Sequence, residues 1–260
     1  MSDALTARPT PSAGTERLAE LIGSARSVVA LTGAGISVPS GIPDFRSPGT
    51  GMWETVDPME VAHIDVFRRA PERFWRFYGD RFATLGDREP NGAHRALVEL
   101  ERAGRLDAVI TQNIDMLHRK AGTEALVEVH GSIASASCLE CRDAWPAEAV
   151  RARLVADEHG IPRCDCGAPL KPDVVLFGEY LPPEALDRAQ ALCEGADLLL
   201  CVGSSLEVYP VAGLPLLTRR AGGQVAIITQ GPTPHDAIAS VRLDGDVVQE
   251  LGALLVALGG

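Results

Sequence analysis

The sequence contains few aromatic residues and no long apolar run. Aromatic side chains make up 5% of the 260 residues, so the core is predicted to consist mainly of Val, Leu, Ile and Ala. No stretch approaches the roughly 18 apolar residues that span a bilayer, and the polar segment 1–17 lacks the apolar region of a signal peptide. We therefore expect a cytoplasmic protein that does not enter a membrane.

Basic residues are fewer than acidic ones. Lys and Arg number 24 and Asp and Glu number 35, which gives a formal net charge of −11. This charge repels a phosphate backbone, so nucleic acid is not an expected partner, whereas basic protein segments would be attracted. The six cysteines are expected to be thiols or metal ligands before disulfides, because the cytoplasm is reducing.

Short apolar runs alternate with helical stretches along most of the chain. The predicted buried strands are 28–31, 107–111, 126–129, 174–177, 197–202 and 225–229. Predicted helices between several of them include 93–103, 183–194 and 214–221. Because buried strands that alternate with helices form parallel sheets, we predict an α/β fold with a doubly wound parallel sheet.

Two segments interrupt this alternation. Residues 54–85 contain most of the aromatic side chains and are predicted to be helical, and residues 132–170 contain four cysteines and little periodicity. We predict that both form a smaller domain beside the sheet. The sheet domain is predicted to comprise residues 15–53, 86–131 and 171–260, after a disordered lead-in at residues 1–14.

A glycine-rich motif, LTGAGISVPSGIPDFRS, follows the first predicted strand at Leu31–Ser47. Glycines at this point let the backbone turn tightly and approach a phosphate. The motif is not a standard GxGxxG, because position 38 is Val38, and a plain strand-to-helix turn is the structural alternative. In the second half of the motif, two prolines and a glycine impose an irregular loop that presents Asp44, Phe45 and Arg46.

Polar side chains follow other predicted strands. Gln112, Asn113 and Asp115 arrive at one strand end, where open α/β sheets bind ligands, and they suit ribose hydroxyls and a carboxamide. A helix cap is the structural alternative. Gly203, followed by two serines, ends another predicted strand and suits a phosphate or ribose, although a simple turn has the same composition.

His130 directly follows the predicted strand 126–129, within the VEVHGS motif. An unperturbed imidazole titrates near pH 6.5, so this side chain could act as a base near neutrality. A structural histidine is the alternative, because a lone histidine is more often structural than catalytic.

Four cysteines form two close pairs. Cys138-x-x-Cys141 is followed, after 22 residues, by Cys164-x-Cys166. Such pairs on short turns are typical of a closed tetrahedral zinc site, and four sulfur ligands leave no open position for catalysis. We therefore predict one structural zinc. The CxC pair is tighter than the usual CxxC, which leaves His159 as an alternative ligand, and four free thiols are the structural alternative.

The motifs, taken as an ordered set, resemble the sirtuin family from about Val28 to Val247. They are GAGISVPSGIPDFRS, TQNIDMLHRKAG, VEVHGS, the cysteine pairs, KPDVVLFGE and GSSLEVYPVAGLP. The resemblance implies a Rossmann-like domain that holds NAD, a small domain of helices and a zinc ribbon, and a cleft for acyl-lysine between them. It also implies that NAD is consumed, giving nicotinamide, O-acyl-ADP-ribose and free lysine.

The resemblance assigns roles to individual residues. His130 matches the catalytic base, and Asn113 stands with it among the catalytic residues. The implied NAD-binding residues are Gly33, Ala34, Gly35, Asp44, Phe45, Arg46, Gln112, Asn113, Ile114, Asp115, Gly203, Ser204, Ser205, Thr229 and Val247. The substrate peptide, which docks as an added strand, is implied to contact Val174, Phe177, Gly178 and Glu179.

One position departs from the family pattern. Sirtuins usually carry Asn after an Ile-Ile pair, where it contacts the adenosine ribose, but here Thr229 follows Ile227 and Ile228. We expect an effect on NAD affinity rather than on the chemistry.

Tyr78 and Arg81 are the candidates for acyl specificity. They are three residues apart on a predicted helix and share one face. The segment is similar to the sirtuin subgroup that removes succinyl, malonyl and glutaryl groups, which carries Tyr-x-x-Arg here. An arginine fork and a phenol suit a terminal carboxylate. A packed tyrosine and a solvated arginine are the structural alternative.

Two other functions remain open at this point. A mono-ADP-ribosyltransferase would use the same cleft without a lysine tunnel, and a catalytically weak module would bind NAD or acyl-lysine only. A Rossmann-type reductase is disfavoured, because the third fingerprint glycine is missing and no ribose-binding acid stands about 20 residues on.

Overall fold

The computed structural model of the protein describes residues 10–44 and 57–259. Phe45, Arg46 and most of the lead-in predicted at residues 1–14 lie outside the described residues. The strands within these ranges are β1 Val28–Thr32, β2 Ala108–Thr111, β3 Leu126–Glu128, β4 Gly131–Cys138, β5 Ala144–Pro146, β6 Leu170–Val174, β7 Leu198–Val202, β8 Gln224–Ile228 and β9 Val241–Leu243. The helices are α1 Ala13–Ser24, α2 Pro58–Val61, α3 Ile64–Arg69, α4 Pro71–Gly86, α5 Gly92–Arg102, α6 Leu117–Ala121, α7 Ala147–Ala156, α8 Pro183–Gly195, α9 Leu214–Arg220 and α10 Val247–Ala257. None of these helices is long and apolar enough to cross a membrane.

Six of the described strands form one parallel sheet in the order β3-β2-β1-β7-β8-β9. Val29 of β1 pairs with Ala108 of β2 on one side and with Leu199 of β7 on the other. The order reverses at this point, since β2 and β3 continue to one side of β1 and the later strands to the other. The predicted Rossmann-like, doubly wound sheet is therefore confirmed.

Helices cover both faces of the sheet. Val28 and Ala30 of β1 pack in the core formed with α1, α5 and α10, whereas Val29 and Leu31 pack in the core formed with α8 and α9. Successive side chains of a strand point to opposite faces, so a strand buried on both faces is apolar at every position. This is why the strands appear in the sequence as continuous apolar runs.

Polar caps set where three of these helices begin. Ser12 accepts a hydrogen bond from the amide of Thr15 and starts α1 at Ala13. Asn91 and Asp246 accept hydrogen bonds from first-turn amides of α5 and α10. Each cap of this kind contributes about 1 kcal/mol. The Ser12 cap therefore places the start of α1 inside the lead-in predicted to be disordered at residues 1–14.

The loops that follow β1 and β7 touch where the strand order reverses. The amide of Gly35 donates to the carbonyl of Gly203 at 2.8 Å. A Cβ atom on Gly203 would lie 2.2 Å from the amide nitrogen of Ile36, and Gly203 has a φ of +60°. The close approach of the two backbones therefore requires glycine here.

The described parts of the two interrupting segments share a separate core. The antiparallel sheet β5-β4-β6 packs with α3, α4 and α7. Phe67 and Phe74 are fully buried with their rings edge to face at 5.3 Å, and the indole of Trp75 donates to the carbonyl of Leu170 at 3.0 Å. This is the smaller domain predicted beside the sheet.

The apolar run Val174–Phe177 is not a strand of the parallel sheet, so that prediction is wrong. Strand β6 ends at Val174 and pairs with β4. The amide and carbonyl of Phe177 bond instead to Ala62 and Ile64, at 3.0 and 2.9 Å. The apolar character of this run serves the small-domain core, in which Val174 and Leu176 are buried.

We predict that Gly203→Ala lowers the free energy of unfolding by at least about 2 kcal/mol. The substitution combines left-handed strain with a collision against Ile36. Gly104→Ala is the matched control, because Gly104 has a φ of +67° but nothing within 4 Å of an added Cβ. Chemical denaturation compares the two variants. Equal losses in both would show that the contact between the loops contributes nothing.

Candidate active site

The loops after β1, β2 and β7 meet at the carboxyl edge of the sheet. The side-chain amide of Gln112 donates to the hydroxyl of Ser204 at 2.9 Å, across the reversal of strand order. The backbone amide of Gln112 donates to the carbonyl of Thr32 at 3.0 Å. Beside these contacts, Ala34 is half-buried and Ser205 is exposed. The structure thus brings together residues predicted from three separate motifs.

A buried network joins the glycine loop to the segment after β2. Asn113 donates to the carbonyl of Gly33 at 3.0 Å and to the hydroxyl of Ser37 at 3.1 Å. Ser37 in turn donates to the carboxylate of Asp115 at 2.6 Å. All four residues are buried. Because buried polar groups are costly without partners, these bonds fix both segments in one geometry.

Ser37 is a site residue that the sequence does not reveal. It is 1% exposed and links two predicted site residues. Ser37 stands in the glycine-rich motif, but that position does not say which residues its hydroxyl contacts. Its hydrogen bonds with Asn113 and Asp115 identify its role.

Asp115 is held on both carboxylate oxygens, by Ser37 and by the amide of Leu117 at 2.9 Å. Burial raises the pKa of its carboxyl group, and the two hydrogen bonds partly oppose that rise. Its neighbour Ile114 instead packs against the small-domain core. The segment after β2 therefore contacts both domains.

His130 lies between β3 and β4. Its Nδ1 atom is 3.0 Å from the carbonyl oxygen of Gln112. A carbonyl only accepts, so Nδ1 carries the proton and Nε2 of the neutral ring keeps a lone pair. Burial lowers the pKa of His130 from 6.5, and the bond to Gln112 partly offsets this. The ring is therefore a neutral base at pH 7.

A cavity of about 410 Å³ opens beside the two glycine loops. Its lining includes Gly35, Asp44, Gly203, Thr229 and Val247. Thr229 and Val247 are themselves mostly buried. Five predicted NAD-binding residues therefore border one cavity at the carboxyl edge of the sheet.

The loop after β8 is held by Arg242. Its guanidinium donates to the carbonyls of Thr229 at 2.6 Å and Leu243 at 2.9 Å, and it also contacts the carbonyl of Gly231. Asp236 accepts from the same guanidinium at 3.1 Å. Thr229, which departs from the family pattern, is therefore fixed through its backbone carbonyl.

The four predicted substrate residues, at the end of β6 and just after it, comprise one buried, one half-buried and two exposed positions. Val174 is buried, whereas Phe177 and Gly178 are exposed. Glu179 turns inward, where its carboxylate lies 2.9 Å from Nζ of the buried Lys171. Lys171 begins the KPDVVLFGE motif, but the sequence does not indicate a role for it. A buried ammonium requires a partner, and this pair fixes the loop that exposes Phe177.

Tyr78 and Arg81 lie on α4. Tyr78 is half-buried between the rings of Phe74 and Phe82, with centroids at 4.8 and 5.1 Å. Burial raises the pKa of Tyr78 to about 12, and the positive charge of Arg81 opposes this. Arg81 lies over the ring of Phe77 at 3.8 Å and donates to the carbonyl of the same residue.

The four predicted zinc ligands lie together. All four Sγ atoms are within 4.8 Å of one another. Two of the distances are 3.5 Å, from Cys138 to Cys166, and 3.4 Å, from Cys141 to Cys164. Tetrahedral zinc with bonds of about 2.3 Å holds its sulfur ligands about 3.8 Å apart. The cluster therefore fits one zinc with four thiolate ligands.

The tight CxC pair forms the same kind of turn as the CxxC pair. The residue after each second cysteine has a positive φ, +72° at Arg142 and +90° at Gly167. The amides of Cys138 and Cys164 each donate to a carbonyl just past their turn, at 2.9 and 2.8 Å. His159 is instead exposed and lies 3.3 Å from the adjacent glutamate.

The chain is similar to known proteins over most of its length. The profile of the Sir2 family matches residues 33–210. The chain is 44% identical over 226 residues to the NAD-dependent protein deacetylase of Sulfolobus acidocaldarius, covering 87% of this chain and 88% of that protein. It is 40% identical over 240 residues to the NAD-dependent protein deacylase 1 of Archaeoglobus fulgidus, covering 91% and 96%.

A solved structure of Sir2 with a p53 peptide and NAD+ has the same fold. The TM-score is 0.86 at 40% sequence identity, and the match covers 94% of this chain and 98% of the other.

We predict about one zinc per chain, lost in Cys166→Ser together with thermal stability, because structural zinc contributes directly to folding. Cys193→Ser is the control, since Cys193 is buried in the core of the parallel sheet and should change stability without changing zinc content. Metal analysis and thermal unfolding measure both quantities. Full zinc in Cys166→Ser would make His159 the candidate ligand.

Proposed function

The chain belongs to the Sir2 family, and on this basis we propose that it removes acetyl groups from protein lysines with NAD as a consumed co-substrate. The acyl group passes from the lysine nitrogen to the ribose of the ADP-ribose part of NAD, nicotinamide leaves, and one water is consumed as the free lysine amine is released. The relative from Sulfolobus acidocaldarius carries the same activity in its name. The profile match spans the glycine loop, His130 and both cysteine pairs.

The observation that carries this proposal is the fixed orientation of His130. Its Nδ1 proton is bound by Gln112, so a neutral Nε2 is left to accept a proton from a ribose hydroxyl. Residues 112–115, which follow β2, hold the nicotinamide end of the site, and Asn113 in that segment is fixed by Gly33 and Ser37. General-base help of this kind contributes about 10²–10⁴-fold to the rate.

NAD is proposed to lie along the carboxyl edge of the sheet. Gly33, Gly35 and Gly203 allow its phosphates to approach backbone amides. The cavity of about 410 Å³ beside them is proposed to hold the adenosine end against Thr229 and Val247. The remaining proposed contacts rest on the family resemblance and are Ala34, Asp44, Phe45, Arg46, Gln112, Ile114, Asp115, Ser204 and Ser205.

The peptide is proposed to lie along the segment after β6, as an added strand. The exposure of Phe177 and Gly178 supports direct contact with it. Val174 is buried and Glu179 is paired with Lys171, so these two would shape the segment rather than face the peptide. The zinc would hold the small domain together, because four cysteine ligands leave no open position.

Acyl groups that end in a carboxylate, such as succinyl and malonyl, are proposed as further substrates, with succinyl-lysine processed better than acetyl-lysine and acetyl-lysine still accepted. With a pKa of about 12, the Tyr78 hydroxyl is protonated and can donate, and Arg81 supplies a fork of donors and a positive charge. The packing of Tyr78 and the stacking of Arg81 on Phe77 would hold both groups in place. A related chain from Archaeoglobus fulgidus bears the broader name deacylase.

His130→Ala is expected to lower kcat for an acetylated peptide by about 10²–10⁴-fold, because the general base is removed. A nicotinamide-release assay measures this, and calorimetry should show that NAD binding is retained. His159→Ala is the control, since that histidine is exposed and outside the site. Near-normal turnover by His130→Ala would refute the role of the base.

The wild-type pH profile provides a second readout of His130. The base acts when neutral, and burial lowers its pKa from 6.5. The midpoint of the acid-side fall in activity should therefore lie below the ordinary imidazole value of about 6.5. A midpoint at or above that value would contradict the assignment.

Arg81→Met is expected to lower kcat/KM for a succinylated peptide by about 10–150-fold, while acetyl removal changes little, because one charge-assisted hydrogen bond is lost. Tyr78→Phe should shift the same ratio while keeping the ring packing. Arg76→Met is the control, because Arg76 is exposed on the same helix. If Arg81→Met lowers both activities equally, or if the wild type prefers the acetyl group, both residues are structural.

A further inference from the structure

Two buried histidines beneath the site take no part in the proposed reaction. His94 on α5 and His118 on α6 are 0% and 2% exposed, with their rings edge to face and their centroids 4.9 Å apart. Burial lowers the pKa of His94 to about 4 and that of His118 to about 3. Both rings are therefore neutral at pH 7, and each carries one proton whose position follows from its hydrogen bonds.

The proton of His118 lies on Nε2. That atom is 2.9 Å from the hydroxyl of Thr32, which itself donates to the hydroxyl of Thr111 at 2.8 Å. The Thr32 hydroxyl has one proton and has given it to Thr111, so it accepts from His118. Nδ1 of His118 is consequently an acceptor.

The proton of His94 also lies on Nε2. The amide of Asn91 donates to Nδ1 of His94 at 3.4 Å as part of the cap of α5. Within the described ranges, Nε2 of His94 and Nδ1 of His118 are both buried without a hydrogen-bond partner. The two rings are therefore held against each other by edge-to-face contact and not by a hydrogen bond.

We propose that His118 is a positioning residue, which starts a directed hydrogen-bonded chain through the hydroxyls of Thr32 and Thr111 that holds the backbone of Asn113. The chain ends at the Thr111 hydroxyl, which accepts from the amide of Asn113 at 3.1 Å. The ring of His94 packs edge to face against His118 and keeps it in place.

The hydrogen-bonded chain gives Asn113 a second set of contacts. Gly33 and Ser37 hold its side chain, and Thr111 holds its backbone amide. A buried hydrogen-bonded chain is strengthened by its low-dielectric surroundings and is costly to interrupt. Apolar side chains would fill the same space without imposing a direction on the Thr111 hydroxyl.

The first test is the protonation of the His118 ring in the wild type, read from ¹⁵N chemical shifts of labelled histidine. The hydrogen-bonded chain requires this ring to be neutral at pH 7 with the proton on Nε2. A proton on Nδ1 of His118, or a charged ring, would overturn the proposal. This measurement requires neither a variant nor activity.

The second test compares His118→Gln with His118→Asn. The amide nitrogen of Gln occupies the place of Nε2 and can still donate to Thr32, whereas that of Asn cannot reach it. We expect His118→Asn to speed amide hydrogen exchange at Asn113 by about 10-fold, as for the loss of one hydrogen bond. His118→Gln should keep the wild-type rate. Equal exchange in the two variants would overturn the positioning role.

The kinetic consequence rests on the proposed deacylase function. His118→Asn should lower kcat by about 10-fold with the KM for the peptide unchanged, and His118→Gln should restore kcat. Equal kcat in the two variants would overturn the role in catalysis. A wild type without deacylase activity would overturn the proposed function. The ring protonation and the exchange rate of the Asn113 amide would still test the hydrogen-bonded chain in that case.

Discussion

The contact between the loop after β1 and the loop after β7 is the constraint on which the candidate site depends. Gly35 and Gly203 meet backbone to backbone at 2.8 Å, a distance at which any side chain would collide. The contact lies where the strand order reverses and the two halves of the sheet diverge to leave a cleft. Ser37 lies in the first of these loops and is the hydrogen-bond partner of both Asn113 and Asp115. The contact between the two loops therefore also fixes the position of Ser37.

Features that depend on local pattern are predictable from the sequence. Strands buried on both faces must be apolar throughout, so the runs at β1, β2, β7 and β8 predict the parallel sheet, and the structure confirms it. The spacing of the cysteines predicts a four-thiol cluster, which is also found. The resemblance to the sirtuin family is visible in the sequence because the family's motifs keep their order along the chain. The match to the Sir2 family over residues 33–210 confirms it.

Features that depend on which side chains meet in space are not predictable in this way. Ser37, Lys171 and His118 lie inside the motifs of the family resemblance, but no pattern says which side chain each of them contacts. Each matters through a partner more than 20 residues away or across a loop. The prediction that Val174–Phe177 is a strand of the parallel sheet is wrong for a related reason. Its apolar residues do indicate burial, but periodicity cannot say which of two cores receives them.

The cysteine cluster and the proposed base lie at opposite ends of one strand, although the cluster has no open position for chemistry. Strand β4 begins directly after His130 and ends at Cys138. Its partner β6 pairs with both ends, at Val174 and at Leu170, and contributes Lys171, whose partner Glu179 fixes the proposed substrate segment. The proposed zinc would therefore bear on the proposed reaction through the placement of β4 and of the segment after β6, rather than through chemistry at the metal.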